Sequence, residues 1–275
     1  MSFPNSVDYI VTRKCDMNCG VCWGSNMPDY KKDMPIDVID AVTENGVKQL
    51  VFTGGEPLLE DKLPDMLYRA KQDGLTTFLF TNTNLLGQRH KEILPYVDKT
   101  SFSLDGYNDE TNAQARKPGH FANVLQALDI TSKYPDISFQ VLTVVTKKNK
   151  DILDDIGAVL KKYADNPRFT WKLNYYQAIG RHPEKFRLDY EEFETVAQKT
   201  VERFAGVIPV RYSVPVHDIA YLFIMPDGNM YTTVGEDYVQ AGNILKPETW
   251  NQNILDEINR NIAEREKVIA GRMKR

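Results

Sequence analysis

The stretch KCDMNCGVCW, residues 14–23, holds every cysteine of the chain: Cys15, Cys19 and Cys22. Three thiols leave one over in any disulfide pairing and fall one short of the four ligands of a structural zinc site. An iron–sulfur cluster of the four-iron type takes a thiolate on each iron, so three cysteines leave one iron open to bind something else. The C-x3-C-x2-C spacing lets one tight loop wrap such a cubane, and Gly20 is expected to ease the turn between two ligands. Zinc remains the competing reading. It needs a fourth ligand, and none of His90, His120, His182 and His217 is near the loop in sequence.

Further along stands TGGEP, residues 53–57. Its two glycines permit backbone conformations closed to other residues and let a ligand approach bare peptide. Glu56 adds a carboxylate, and a charge-assisted hydrogen bond to it is about twice as strong as a neutral one. Taken alone, the same residues describe a glycine turn that opens a helix.

These residues need a scaffold, and the chain supplies a repeating one. Short β-branched or aromatic runs alternate with longer amphipathic stretches, the βαβ pattern of a parallel sheet. The strands are expected at Val7–Arg13, Gln49–Thr53, Thr77–Thr81, Thr100–Leu104, Ser138–Thr146 and Arg168–Tyr175. Helices are expected at Pro35–Glu44, Leu63–Gln72, Phe121–Lys133 and Lys150–Tyr163, where apolar residues recur at three and four. In such folds ligand sites gather where strands end. Cys15 follows the first strand, Gly54–Pro57 the second, Asn82–Asn84 the third and Ser103–Gly106 the fourth. After about residue 205 the pieces become shorter and β-like, Val207–Ser213 and Ala220–Met225, with a turn at Pro226–Asn229 and a last helix over Pro247–Glu266.

With 42% hydrophobic and 26% charged residues the composition is that of a globular protein with a large core. A net charge of -4 gives no signature of nucleic-acid binding, and the basic end GRMKR reads as a solvated tail. No apolar run approaches the roughly 20 residues of a membrane-spanning helix. The opening MSFPNSVDYIV lacks the features of a signal peptide. The expectation is therefore a cytoplasmic protein without a membrane partner, in a compartment where clustered thiols bind metal or do redox chemistry.

CDMNCGVC followed by FTGGEP resembles the radical S-adenosylmethionine (SAM) superfamily. TSFSLDGYNDETNAQARKPGHF and LTVVTKKN resemble the fourth and fifth strand regions of its branch with a C-terminal SPASM or twitch extension. The resemblance implies an α/β fold, a partial (β/α)6 TIM barrel over residues 1–205, with a small α+β extension over 206–275. It implies one [4Fe-4S] cluster on Cys15, Cys19 and Cys22, and SAM. The SAM contacts it implies are Glu56 for the ammonium, with Thr53, Gly54 and Gly55 around it, Ser103 for the ribose, Arg116 for the carboxylate, and the Val21 backbone for the adenine. Asn82 lies in TNTN, where relatives often read TNG, and Asp105 either faces the substrate or caps a turn. The implied chemistry is reductive cleavage of SAM and hydrogen abstraction by a 5′-deoxyadenosyl radical. A low-potential donor such as flavodoxin or ferredoxin is the implied partner.

The extension keeps FIMPDGNMYTTVGEDYVQAGNI, with Thr232 and Thr233 where such relatives commonly place a cysteine, and no cysteine follows Cys22. No auxiliary cluster is therefore expected, which favours redox-neutral rearrangement, elimination or epimerisation over net oxidation. Tyr175 is the leading candidate for returning hydrogen, beside Tyr176, Tyr212 and Tyr231. The cluster loop begins fifteen residues into the chain, which favours a small-molecule substrate, a sugar, nucleoside or amino-acid derivative, over a peptide. Lys172, Asn174 and Arg181 are polar candidates for binding it. Two alternatives stand beside this reading. One is a peptide- or protein-modifying enzyme, a peptide maturase or a glycyl-radical activase, and the other is a non-catalytic electron-transfer or zinc-binding protein.

Overall fold

The computed structural model describes residues 3–31, 35–177, 184–213, 221–235 and 237–272. Arg181, His182 and His217 lie outside the described residues. In chain order the elements are β1 (Ser6–Thr12), α1 (Pro35–Glu44), β2 (Gln49–Gly54), α2 (Leu63–Gln72), β3 (Thr76–Thr81), α3 (Leu86–Ile93), β4 (Lys99–Ser103), α4 (Asp109–Asn112), α5 (His120–Thr131), β5 (Ser138–Val145), α6 (Leu153–Leu160), β6 (Phe169–Tyr175), α7 (Tyr190–Arg203), β7 (Val210–Tyr212), β8 (Phe223–Ile224), β9 (Asn229–Val234), β10 (Asp237–Asn243) and α8 (Gln252–Arg272). The architecture is mixed α/β, with parallel strands alternating with helices.

The chain divides into two compact units: residues 1–14, 27–79 and 214–275 form the first, residues 15–26 and 80–213 the second. In the first, the strand order is β10-β9-β8-β1-β2-β3. Here β1 pairs parallel with β2 and β8, and β2 with β3, while β8, β9 and β10 run antiparallel to one another. The turn expected at Pro226–Asn229 joins β8 to β9. Gly228 sits there at φ +81, and Met225 N–H donates to the Asn229 carbonyl at 2.8 Å. Val38, Ile39 and Val42 of α1 and Leu63, Met66, Leu67 and Ala70 of α2 are buried at helical spacing, which fixes the face each helix turns inward.

In the second unit β4, β5, β6 and β7 are adjacent and parallel. Alternation along β5 buries Phe139, Val141, Thr143 and Val145 and leaves Gln140, Leu142 and Val144 half-buried. On α5 the buried set is His120, Val124, Ala127, Leu128 and Thr131. Two polar residues in that set already mark the helix as more than a core filler.

Some boundaries differ from the periodicity, each for a local reason. Residues 150–152 are not helical because Thr146 and Asn149 close a turn: the Thr146 carbonyl accepts from Asn149 and Lys150 N–H. Val207 and Ile208 bond back to the Phe204 carbonyl and so finish the α7 region instead of opening β7. Pro247–Thr249 forms a separate 3-10 turn, with Trp250 Nε1 donating to the Asn243 carbonyl at 2.7 Å, and α8 starts only at Gln252.

Candidate active site around the three-cysteine loop

The approach to the cysteine loop is built in the first unit. β1 carries a register shift between Ile10 and Thr12 opposite β2, and Thr53, half-buried, lies opposite Ile10. Gly54 takes φ +131, a conformation that side chains rarely adopt. Gly55 N–H donates to the Thr12 carbonyl at 2.7 Å, and Glu56 N–H to the Lys14 carbonyl at 2.8 Å. A Cβ on Gly55 would stand 2.1 Å from that same Lys14 oxygen. The second glycine is thus required by the close passage of the chain segment just before Cys15. Glu56 is wholly buried, and its Oε1 accepts from Leu58 N–H at 3.0 Å, capping the turn at Pro57–Leu59.

The loop itself belongs to the second unit. Cys15 is exposed, Cys19 and Cys22 are half-exposed, and no disulfide joins them. Gly20 has neither a left-handed φ nor a crowded Cα. Its contribution differs from the expected easing of a turn: its N–H donates to the Ala115 carbonyl at 3.2 Å. Val21 is half-exposed beside Cys22. Among the described residues no three His, Cys, Asp or Glu side chains converge tightly enough to hold one bare metal ion.

Asp16, next to Cys15, is gripped from the loop after β3. Asn82 Nδ2 donates to Asp16 Oδ1 and Asn84 Nδ2 to Asp16 Oδ2, both at 2.6 Å. Asn84 is held in turn by Asn123 Nδ2 at 2.8 Å, and Asn82 Nδ2 also lies 3.8 Å from Cys15 Sγ. Burial pushes the Asp16 carboxyl upward, but the two amide donors outweigh it and hold the group below its ordinary value. Between the asparagines Thr83 adopts φ +71, the left-handed region, with a buried hydroxyl that has no hydrogen-bond partner. The resemblance, in which relatives often read TNG, puts glycine at that position.

A second network surrounds Arg116. Its Nε donates to Asp105 Oδ2 at 2.5 Å, with side chains only 11% and 1% exposed. Burial disfavours the guanidinium charge, and Asp105 and Cys19 together more than restore it, so the group stays above the ordinary arginine value. Asp105 Oδ1 accepts from Val144 N–H at 2.8 Å, and its own N–H donates to Asn112 Oδ1 at 3.0 Å. With that oxygen used as acceptor, Asn112 Nδ2 donates to His120 Nδ1 at 3.0 Å, which puts the imidazole proton on Nε2. Nε2 is buried with the Asn82 backbone carbonyl as its neighbour, without a hydrogen bond of ordinary geometry.

Burial, and then the Arg116 charge, pull the His120 pKa down to about 4, against smaller upward pulls from the Asn82 carbonyl, Asp109 and Asp16. The folded protein therefore keeps His120 neutral where the unfolded chain takes up a proton. Its contribution to stability is complete above pH about 6.5 and is lost as pH falls toward about 4, a change of about 3 kcal/mol. Urea unfolding of wild type and His120→Gln across that window is expected to give a steeper loss in the wild type. Parallel pH profiles would count against the assignment.

Ser103 closes β4, half-buried. Tyr175 Oη donates to the Leu188 carbonyl at 3.0 Å, and its ring packs on Tyr190 and Phe193. Burial raises its phenol above the usual range. Tyr212 packs edge-on to Phe193, Tyr231 stacks on Phe223, and Tyr176 is buried. Asp105, expected to face substrate or cap a turn, is instead the buried partner of Arg116. The Asp16 grip and the Asn112–His120 pair were not read from the sequence. The only signal was composition: an acid beside Cys15, two amides in TNTN, and a histidine on a buried helix face.

Comparison with known proteins bears on the family and the fold. GTP 3',8-cyclase of Chlorobaculum tepidum is 24% identical over 228 residues, covering 75% of this chain and 69% of that protein. AdoMet-dependent heme synthase of Methanosarcina barkeri is 28% identical over 201 residues, covering 70% and 56%. The chain thus spans little more than half of the second relative. Streptococcus suis SuiB bound to S-adenosylmethionine superposes with a TM-score of 0.73 at 16% identity, over 90% of this chain and 64% of that one. The structure of anSMEcpe with bound AdoMet gives 0.70 at 17% identity, over 93% and 81%. At these identities the structural likeness speaks for the fold. The family model described as Radical SAM superfamily matches residues 9–160, which contain the cysteine loop, TGGEP, Asp105 and Arg116, and the chain belongs to that superfamily.

Proposed function

We propose that this protein uses one [4Fe-4S] cluster, held by Cys15, Cys19 and Cys22, and SAM to abstract hydrogen from a small organic molecule. The reaction class is a redox-neutral rearrangement, elimination or epimerisation. Cys15, Cys19 and Cys22 would hold the cluster, which would supply the one-electron reduction that splits SAM to a 5′-deoxyadenosyl radical. The observation that carries the reading is the three-thiol loop sharing a unit with a buried arginine beside Cys19. Asp105 takes Arg116 Nε and fixes the guanidinium plane, leaving the Nη donors for Cys19 and the SAM carboxylate. Glu56 receives the SAM ammonium, Ser103 the ribose hydroxyls and the Val21 backbone the adenine, with Thr53, Gly54, Gly55 and Asn82 completing the contacts. Asp16, fixed by Asn82 and Asn84, keeps the Cys15 end of the loop in one conformation.

No thiol remains after Cys22 for an auxiliary cluster, which supports chemistry without a second electron acceptor. Tyr175 stays the candidate for hydrogen return, and its bond to Leu188 would have to open. Flavodoxin or ferredoxin in a reducing cytoplasm would supply the electron. Among the described residues no helix is long and apolar enough to cross a membrane.

Anaerobic reconstitution with iron and sulfide, reduction with dithionite and addition of SAM is expected to yield 5′-deoxyadenosine, detected by mass. An intact four-iron spectrum with neither SAM binding nor product would replace this reading by a non-catalytic electron-transfer role. A second reading, modification of a peptide, has one observation in its favour: SuiB bound to precursor peptide SuiA gives a TM-score of 0.75 over 94% of this chain. Stimulation of SAM cleavage by peptides, with small molecules inert, would favour it.

A further inference from the structure

We infer that the first turn of α5 fixes the two ends of the cysteine loop relative to each other, with His120 as the positioning residue for Arg116 and Asn123 as the one for Asp16. This rests on the SAM reading above, in which Arg116 meets the SAM carboxylate, and adds what holds that arginine and the cysteines in one arrangement.

The two networks around the cysteine loop meet on this one helix turn. Asn123 Nδ2 donates to Asn84 Oδ1 at 2.8 Å, and Asn84 Nδ2 donates to Asp16 Oδ2 at 2.6 Å, beside Cys15. Three residues earlier on the helix, His120 Nδ1 accepts from Asn112 Nδ2 at 3.0 Å, and its Nε2 has the Asn82 carbonyl as neighbour. Residues three apart share a helix face, so one rigid turn reaches both networks. Asn112 carries the second branch onward to the arginine. Its Oδ1 accepts from Asp105 N–H, and Asp105 in turn holds Arg116 Nε. Its backbone carbonyl accepts from Ala115 N–H at 3.2 Å and from Arg116 N–H at 3.0 Å. The Ala115 carbonyl then receives Gly20 N–H at 3.2 Å, one residue past Cys19.

Packing alone does not ask for these residues. Asn112 and His120 are 0% and 1% exposed, and a buried amide or imidazole costs free energy unless it is paired. Val124, Ala127 and Leu128 already supply an apolar face for α5. The close seating of the branch is imposed by the chain as well. A Cβ on Gly106 would stand 2.2 Å from the Asn112 backbone nitrogen, so glycine is what lets α4 lie against the end of β4, where Asn112 reaches Asp105. A buried network whose members are bonded to one another selects one arrangement over several. Here it sets the distance between the Asp16 grip, next to Cys15, and the Arg116 contact beside Cys19.

The test is amide hydrogen exchange by mass spectrometry on the full chain, as purified and after anaerobic reconstitution, with equilibrium dialysis of SAM on the reconstituted samples. His120→Phe fills the site without ring nitrogens, whereas His120→Gln still offers an acceptor to Asn112 and a donor to the Asn82 carbonyl. His120→Phe is expected to speed exchange at least about tenfold in both residues 82–85 and residues 105–117, and to weaken SAM binding about tenfold. His120→Gln should stay within about twofold of wild type in each measurement, a rescue that loss of a mere core filler would not show. Asn123→Ala is expected to speed exchange in residues 82–85 and 15–18 and to leave 105–117 as in wild type. Should His120→Phe not fold, Asn112→Ala cuts the same connection from its other end and carries the same expectation. Changes confined to α5, equal effects of His120→Phe and His120→Gln, or a disturbance of 105–117 by Asn123→Ala as large as that by His120→Phe would overturn the inference. Absence of SAM binding in wild type would strike at the SAM reading, and the exchange pattern, which needs neither cluster nor SAM, would still decide the inference.

Discussion

Cys19→Ala is expected to reconstitute without the broad four-iron absorbance and to give no 5′-deoxyadenosine above the protein-free control. Within a cubane, each iron without thiolate is a site for loss or solvent attack, and only one such position is compatible with SAM as its ligand. Removing one of the three thiolates opens a second iron and therefore disables the cluster, where most single substitutions only weaken an interaction. Cys19 also stands beside Arg116, whose charge it helps to hold, so the substitution strips both a ligand and a neighbour of the arginine. Cys15→Ala and Cys22→Ala should match it in cluster content, and far-ultraviolet circular dichroism should show the fold retained. SAM cleavage surviving in any of the three would sink the ligand assignment. Zinc retained at one equivalent with no iron uptake in wild type would revive the competing metal.

Asp105→Ala is expected to cost about 3–5 kcal/mol of folding stability, read as a lowered urea midpoint. The size follows from burial. Arg116 would keep its charge in a site only 11% exposed with its carboxylate gone, and Val144 N–H would lose its acceptor. Asp105→Asn keeps an acceptor for that N–H and should fall between. The double variant Asp105→Ala, Arg116→Met should recover part of the loss, because it removes the orphaned charge together with its partner. A pair that contributed only a surface ion bridge would show losses under about 1 kcal/mol and additive variants. The same substitution should weaken SAM binding, since Arg116 would no longer be held at Nε.

Much of the scaffold could be read from the chain because hydrophobic periodicity is local. Pro35–Glu44 and Leu63–Gln72 have the expected limits to the residue, and the parallel strands follow the β-branched runs within a residue or so. The placement of the motifs at strand ends followed from the same alternation. The site's supporting bonds were not legible, since they join residues far apart in sequence: Asn82 to Asp16 across 66 positions, Val144 to Asp105 across 39. Nothing in SLDG tells whether its carboxylate faces a ligand or is buried against an arginine eleven residues on. Gly55 was read for the freedom it gives a ligand, and the crowding by the Lys14 carbonyl became visible only when β1 and β2 were side by side.

Thr83 bears on how the turn could evolve. A β-branched residue in the left-handed region costs about 1–2 kcal/mol, and glycine would remove both that cost and a buried hydroxyl without a partner. Thr83→Gly is thus expected to leave stability equal or higher. It would also give the backbone between Asn82 and Asn84 many more conformations. Threonine limits the turn to few shapes, one of which aims both amides at Asp16. The chain therefore gives up some stability for a narrower ensemble beside its cysteines, where a ligand-bearing loop that wanders has to be ordered anew each time it is loaded.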